Sequence, residues 1–188
     1  MGAEPLSDAL LLVDVLADFG HSGGDALLAS YRSALPTLLT TIEDARSRGI
    51  PVVYANDDFG TWSGDRTAVI QEARRRCPQP QLLDPVTPDE CDLFVTKPRY
   101  SAFDHTPLDL LLEGCGVERV LLAGTATEMC VAQTAIAARE HGYLVSVLVD
   151  ACSSVSDADA RLALGYLERI AGARLHRGAS PPSRVAVG

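Results

Sequence analysis

Apolar residues fall into short uninterrupted runs along this chain, separated by longer stretches with helical periodicity. Ala9–Val13, Pro51–Ala55, Asp92–Thr96, Arg119–Ala123 and Tyr143–Val149 are five such runs, and Ala173–His176 is a weaker sixth. They do not alternate apolar with polar, which is the pattern of strands covered on both faces. Between the first two, Leu28, Tyr31, Leu35, Leu38, Ile42 and Ala45 recur at steps of three and four, predicting a helix that starts or bends at Pro36 and stops at Gly49. Met129–His141 and Asp157–Ile170 carry similar stripes, the latter on Ala160, Ala163, Leu164, Leu167 and Ile170, with Gly142 and Gly172 placed as C-terminal glycines. Strand and helix in alternation predict right-handed crossovers and a three-layer α/β/α domain, a doubly wound, mostly parallel sheet of about six strands. No repeat or linker interrupts it, so residues 1–188 are expected to form one domain with its core at about 9–177. The tail 178–188 is expected to fray or to pack on a neighbouring subunit.

In such a sheet chemistry collects at the carboxyl ends of the strands. The residues there are Asp14, Asn56-Asp57-Asp58, Lys97, the segment Gly124-Thr-Ala-Thr-Glu-Met-Cys130, and Asp150. Composition sharpens one of them. Of 16 basic residues 15 are arginines, and Lys97 is the single lysine. Lysine is a compact point charge and can be buried in ways that the arginine fork cannot, although an arginine-biased composition could also leave one lysine by chance. Cys130 falls where a strand turns into a helix; the helix dipole and a nearby ammonium would lower its thiol pKa, whereas alone it would read as a small buried hydrophobe. Asp14 ends a buried strand, where a carboxylate is costly unless paired; alone it would read as a cap or loop tether. Three complementary groups at three strand ends point to a nucleophile with its acid–base partners.

The net charge of −9 argues against nucleic acid as a partner. No apolar run is long enough for a membrane span, and Met1–Ser7 lacks the basic head of a signal peptide. Five scattered cysteines without a CxxC pair (Cys77, Cys91, Cys115, Cys130, Cys152) fit a reduced, cytoplasmic protein. Gly-x-Gly-x-x-Gly is absent after the first run, which excludes a dinucleotide-binding fingerprint.

Several segments together resemble the isochorismatase-like cysteine hydrolases, which include nicotinamidases and N-carbamoylsarcosine amidase. They are Leu11–Asp14 through Asp18-Phe19, Val52–Trp62, Thr96–Phe103 with Thr106–Asp109, and Ala123–Val131 with Thr134-Ala135. The resemblance implies a catalytic triad of Asp14, Lys97 and Cys130, and a non-proline cis peptide at Thr125–Ala126. It implies an oxyanion hole from the amides of Ala126 and Cys130, and a small-molecule substrate. Candidate substrate-binding residues are Phe19, Trp62, Tyr100, Phe103 and Thr127. A homodimer or homotetramer is also implied.

One departure matters. Nicotinamidases build a metal site on Asp-x-His, and here the corresponding triplet is Asp57-Asp-Phe59. No metal or other cofactor is therefore expected, and nicotinamide is disfavoured as substrate. The leading reading is a metal-independent hydrolase of the C–N bond of a small amide, ureido or carbamoyl compound, acting through an acyl-thioester on Cys130. The alternatives are a vinyl-ether hydrolase of the isochorismatase type, against which Cys130 argues, and a non-catalytic ligand-binding member of the fold.

Overall fold

The computed structural model describes residues 7–62 and 64–178. Six strands, β1 (Asp8–Val13), β2 (Val52–Asp57), β3 (Leu93–Lys97), β4 (Arg119–Thr125), β5 (Leu144–Ser153) and β6 (Arg174–His176), form one sheet in the order β3-β2-β1-β4-β5-β6. Every neighbouring pair is parallel. The helices are α1 (Gly24–Ser47), α2 (Arg66–Arg76), α3 (Leu108–Gly114), α4 (Ala132–Glu140) and α5 (Asp157–Arg169). The tail beyond Gly178 lies outside the described residues. Among the described residues no helix is long and apolar enough to cross a membrane.

The uniform apolarity of the runs has its cause in two cores. Alternate residues of β1 point to opposite faces. Ala9, Leu11 and Val13 pack with Leu108 and Leu112 of α3, Ala135 of α4 and Leu167 of α5. Leu10 and Leu12 pack with Tyr31, Leu38 and Ile42 of α1 and with Ala73 of α2. Burying all six residues of β1 makes it the spine of the sheet.

Some elements differ from the sequence expectation. The first helix begins at Gly24 and carries Pro36 inside it. A Cβ on Gly24 would lie 1.9 Å from the Phe19 carbonyl oxygen, so only glycine lets α1 start this close to the loop after β1. β5 runs on to Ser153 through a register shift against β4, so Asp150 lies within the strand. Its carboxylate faces Arg177 at 3.4 Å and accepts from the Gly178 N–H, leaving it outside the functional edge. α2 and α3 are short and contribute little to the core, so neither stood out: α2 buries only Val69 and Ala73, and α3 only Leu108 and Leu112.

At the sheet's amino end Arg119 of β4 holds Asp8 of β1 through two bonds of 2.7 and 2.9 Å, with both side chains buried. Removing one partner strands a buried charge. Arg119→Ala is expected to lower stability by about 3–5 kcal/mol in urea unfolding, whereas Asp8→Leu with Arg119→Met recovers most of the loss.

Candidate active site

The strand order reverses between β1 and β4, and a crevice opens there at the carboxyl edge. It is a cavity of about 560 Å³ whose wall includes Asp14, Phe19, Asp57, Tyr100, Ala126 and Cys130. Three strand ends deliver the chemical groups at this crevice, two of them lining the cavity and Lys97 buried behind them. Asp14 follows β1, Lys97 ends β3, and Cys130 lies in a single π-helical turn, Thr127–Val131, between β4 and α4.

Lys97 is only 2% exposed, and its ammonium has three acceptors: Asp14 Oδ2 at 2.6 Å, the Arg99 carbonyl at 3.0 Å and Cys130 Sγ at 3.7 Å. Three protons meet three partners. Asp14 is held as firmly. Its backbone N–H donates to the Ala55 carbonyl, and its Oδ1 accepts from the Asp57 N–H at 2.8 Å. The structure thus brings together the three residues singled out from the sequence.

Two local arrangements make this meeting possible. A Cβ on Gly124 would lie 2.0 Å from the Val13 carbonyl oxygen, so β4 can close on β1 here only with glycine, which sits at φ 132°. Beyond it the Thr125–Ala126 peptide is cis. Thr125 and Thr127 then fasten the turn to Ser153 of β5, through a hydroxyl–hydroxyl contact and a 2.9 Å bond to the carbonyl. The loop after β3 is pinned similarly, with Ala102 N–H donating to Thr134 Oγ1 of α4 at 3.0 Å. That fastening accounts for Ser101-Ala-Phe103: it steadies the loop that offers Arg99 O to Lys97.

Backbone strain concentrates here as well. Of five described non-glycine residues with left-handed φ, Asp14, Phe19, Phe59 and Trp62 lie in the loops after β1 and β2. Each such conformation costs on the order of 1–3 kcal/mol and persists where its surroundings enforce it.

The electrostatics reverse one expectation. The Cys130 thiol is not lowered but pushed up to about 12, chiefly by burial and next by the Asp14 carboxylate, to which it donates a hydrogen bond; Lys97 pulls the other way and loses. Lys97 is raised: burial works against its charge, but Asp14, Cys130 and Asp57 more than offset that. The resting site is therefore a thiol beside a carboxylate–ammonium pair. Asp57 is raised, foremost by burial, with the Phe59 amide opposing and Asp14 adding to the rise.

The proposed substrate contacts divide. Phe19 and Tyr100 line the cavity. Phe103 does not; it packs on the opposite face of the sheet, its ring 4.8 Å from that of His141. Thr127 is buried with its hydroxyl committed to Ser153, and Trp62 projects outward at 80% exposure. Residues that sequence reasoning missed take their places: Leu16, Leu27, Phe59, Met129 and Val155 supply apolar wall, and Asp18, His21 and Arg76 supply polar groups. Arg76 belongs to α2, whose existence no apolar stripe announced.

The donors around Asp57 do not fit a transition metal. Asp58 uses its oxygens on the N–H groups of Gly60 and Trp62, and Phe59 lies under the Arg76 guanidinium, 5.4 Å from its ring centroid. Among the described residues no cluster of three or more His, Cys, Asp or Glu side chains could hold a metal ion.

The family model of the isochorismatase domain matches residues 8–177. An uncharacterized isochorismatase family protein of Bacillus subtilis is 32% identical over 162 residues, spanning 86% of this chain and 89% of its own. A ureidoacrylate amidohydrolase of Klebsiella pneumoniae is 27% identical over 186 residues, spanning 85% of this chain and 78% of its own. The crystal structure of N-carbamoylsarcosine amidase from Thermoplasma acidophilum superposes with a TM-score of 0.71 at 26% identity, covering 92% of this chain and 96% of that one.

Burial and the Asp14 carboxylate hold the Cys130 thiol well above its ordinary range, so it rests protonated at neutral pH. Iodoacetamide labelling of Cys130, followed by peptide mass spectrometry, is expected to rise about tenfold per pH unit from 7 to 11. Asp14→Asn removes a charge that raises the thiol, so labelling at pH 7 should become faster. Slower labelling in that variant would contradict the assignment.

Proposed function

The chain belongs to the isochorismatase family, and we propose that within it this protein is a metal-independent cysteine amidohydrolase acting on a small amide, ureido or carbamoyl compound. The observation that carries this reading is the buried Lys97 ammonium, 2.6 Å from Asp14 and 3.7 Å from Cys130 Sγ, two residues that line a cavity large enough for a small molecule. The ureidoacrylate amidohydrolase and N-carbamoylsarcosine amidase relatives, named for ureido and carbamoyl substrates, support the same bond type.

The raised thiol pKa favours a route without a preformed thiolate. As the substrate carbonyl reaches Sγ, Asp14 takes the thiol proton and the S–C bond forms. The tetrahedral oxyanion is received by the amides of Ala126 and Cys130. Collapse breaks the C–N bond, and protonated Asp14 gives its proton to the departing nitrogen. An acyl-thioester remains. Water then attacks it while Asp14 accepts a water proton and returns it to the leaving sulfur. Lys97 keeps its proton throughout, compensating whichever of Asp14 and Cys130 is negative at each stage.

Ammonia release from a panel of small carboxamides and ureido compounds tests the reaction, with Cys130→Ala as the blank. Wild-type protein is expected to release ammonia and to show an acyl adduct on the Cys130 peptide after rapid quench. Turnover by Cys130→Ala at the wild-type rate would overturn the nucleophile, as a hydrolase using water alone would show. Lys97→Arg is expected to retain the far-UV circular dichroism of the fold and to lose turnover on the order of a thousandfold. Normal turnover in that variant would remove Lys97 from the mechanism.

A further inference from the structure

Most polar groups in the cavity wall are already committed. Asn56 exchanges bonds with the backbone of Leu16 and gives its other proton to the Asp57 carbonyl. His21 Nδ1 is bonded to the Ser22 carbonyl, and Asp18 Oδ1 accepts from the Gly20 N–H. Arg76 is different. Among the described residues lining the cavity it is the one arginine or lysine.

Its guanidinium is oriented by its contacts but incompletely used. Nε donates to Glu72 at 2.6 Å, Nη2 donates to the Phe59 carbonyl at 3.2 Å, and the plane lies over the Phe59 ring. Nη1 faces Asp18 Oδ2 at 3.9 Å, within ion-pair range but too far for a hydrogen bond. Two protons on Nη1 and one on Nη2 are therefore available on a fork oriented by Glu72 and Phe59. Preorganised guanidinium donors of this kind suit a carboxylate. The same cavity is also lined by Phe19, Leu27, Met129 and Val155, which suit an apolar portion of a ligand.

We propose that Arg76 anchors a carboxylate on the substrate, so that this site takes ureido or amide acids in preference to neutral or cationic amides. This rests on the amidohydrolase reading above, but its test can fail separately. Three ureas of similar length serve as probes: 3-ureidopropionate, the neutral 3-hydroxypropylurea and the cationic 2-aminoethylurea. Calorimetric binding to Cys130→Ala is expected to favour the carboxylate by about tenfold or more over each of the others, the usual scale for a charge-assisted bond. Adding Arg76→Gln should reduce that preference to within about threefold, with Arg76→Lys keeping part of it. In turnover the Arg76→Gln loss should appear mainly as a higher KM for the carboxylate. Equal binding of all three probes, tightest binding of the ammonium probe, or a uniform loss across probes in Arg76→Gln would each overturn the anchor. Carboxylate binding through Arg76 without ammonia release by the wild type would instead overturn the amidohydrolase reading and leave the anchor standing.

Discussion

A buried ammonium with three protons sets the geometry of this molecule's functional edge. Taking the Lys97 charge out of water costs several kcal/mol unless each proton finds an acceptor. The acceptors come from three different places: the carboxylate after β1, the carbonyl of Arg99 after β3, and the sulfur of Cys130 beyond β4. That requirement explains features with no obvious reason of their own. Gly124 lets β4 close on β1, Ser153 fastens the turn that carries Cys130, and Thr134 pins the loop that offers Arg99 O. An arginine at 97 would bring five donors in a plane to a buried tripod of acceptors that a three-proton ammonium matches.

The same cluster decides what kind of nucleophile the thiol is. A helix terminus and an ammonium would ordinarily favour a thiolate. Here the ammonium is already shared with a carboxylate, and the thiol is largely buried beside the Asp14 charge. Burial resists a thiolate most, and the anion already present at Asp14 resists it next. On the proposed reading this resistance is useful: the proton leaves sulfur only when a carbonyl is in place to take the electron pair, and the carboxylate that suppresses the thiolate is the base that accepts the proton.

The sheet and its functional edge were legible because both follow from burial. Strands covered on two faces must be apolar throughout, so six runs marked six strands, and the groups following them marked the crevice. The lone Lys97 stood out because arginine occupies every other basic position. What was not legible depended on side-chain direction or weak patterning. Phe103 shares a motif with Lys97, yet it belongs to the opposite core, and aromatic character alone does not reveal on which side of a sheet a ring will lie. The thiol's sign was misjudged because sequence revealed its neighbours without its burial. Arg76 was hidden by α2, a polar helix with two buried residues and no apolar stripe.

The loops around the crevice carry left-handed residues at Asp14, Phe19, Phe59 and Trp62, and their strain must be opposed elsewhere. The opposing structure is visible in β1. All six of its residues are buried, and it is paired on both sides. Its amino end is tied to β4 by the buried Asp8–Arg119 pair. Asp14 is the next residue after that strand, and its N–H continues the ladder onto Ala55. A carboxylate that must stay within hydrogen-bonding distance of both a thiol and an ammonium gains little from a flexible tether. It gains position from a strand that is buried along its whole length. Strain at the carboxyl end and rigidity along β1 are therefore two parts of one arrangement: the spine holds the backbone at Asp14 in a conformation it would not choose, and that conformation aims its oxygens at Lys97 and Cys130.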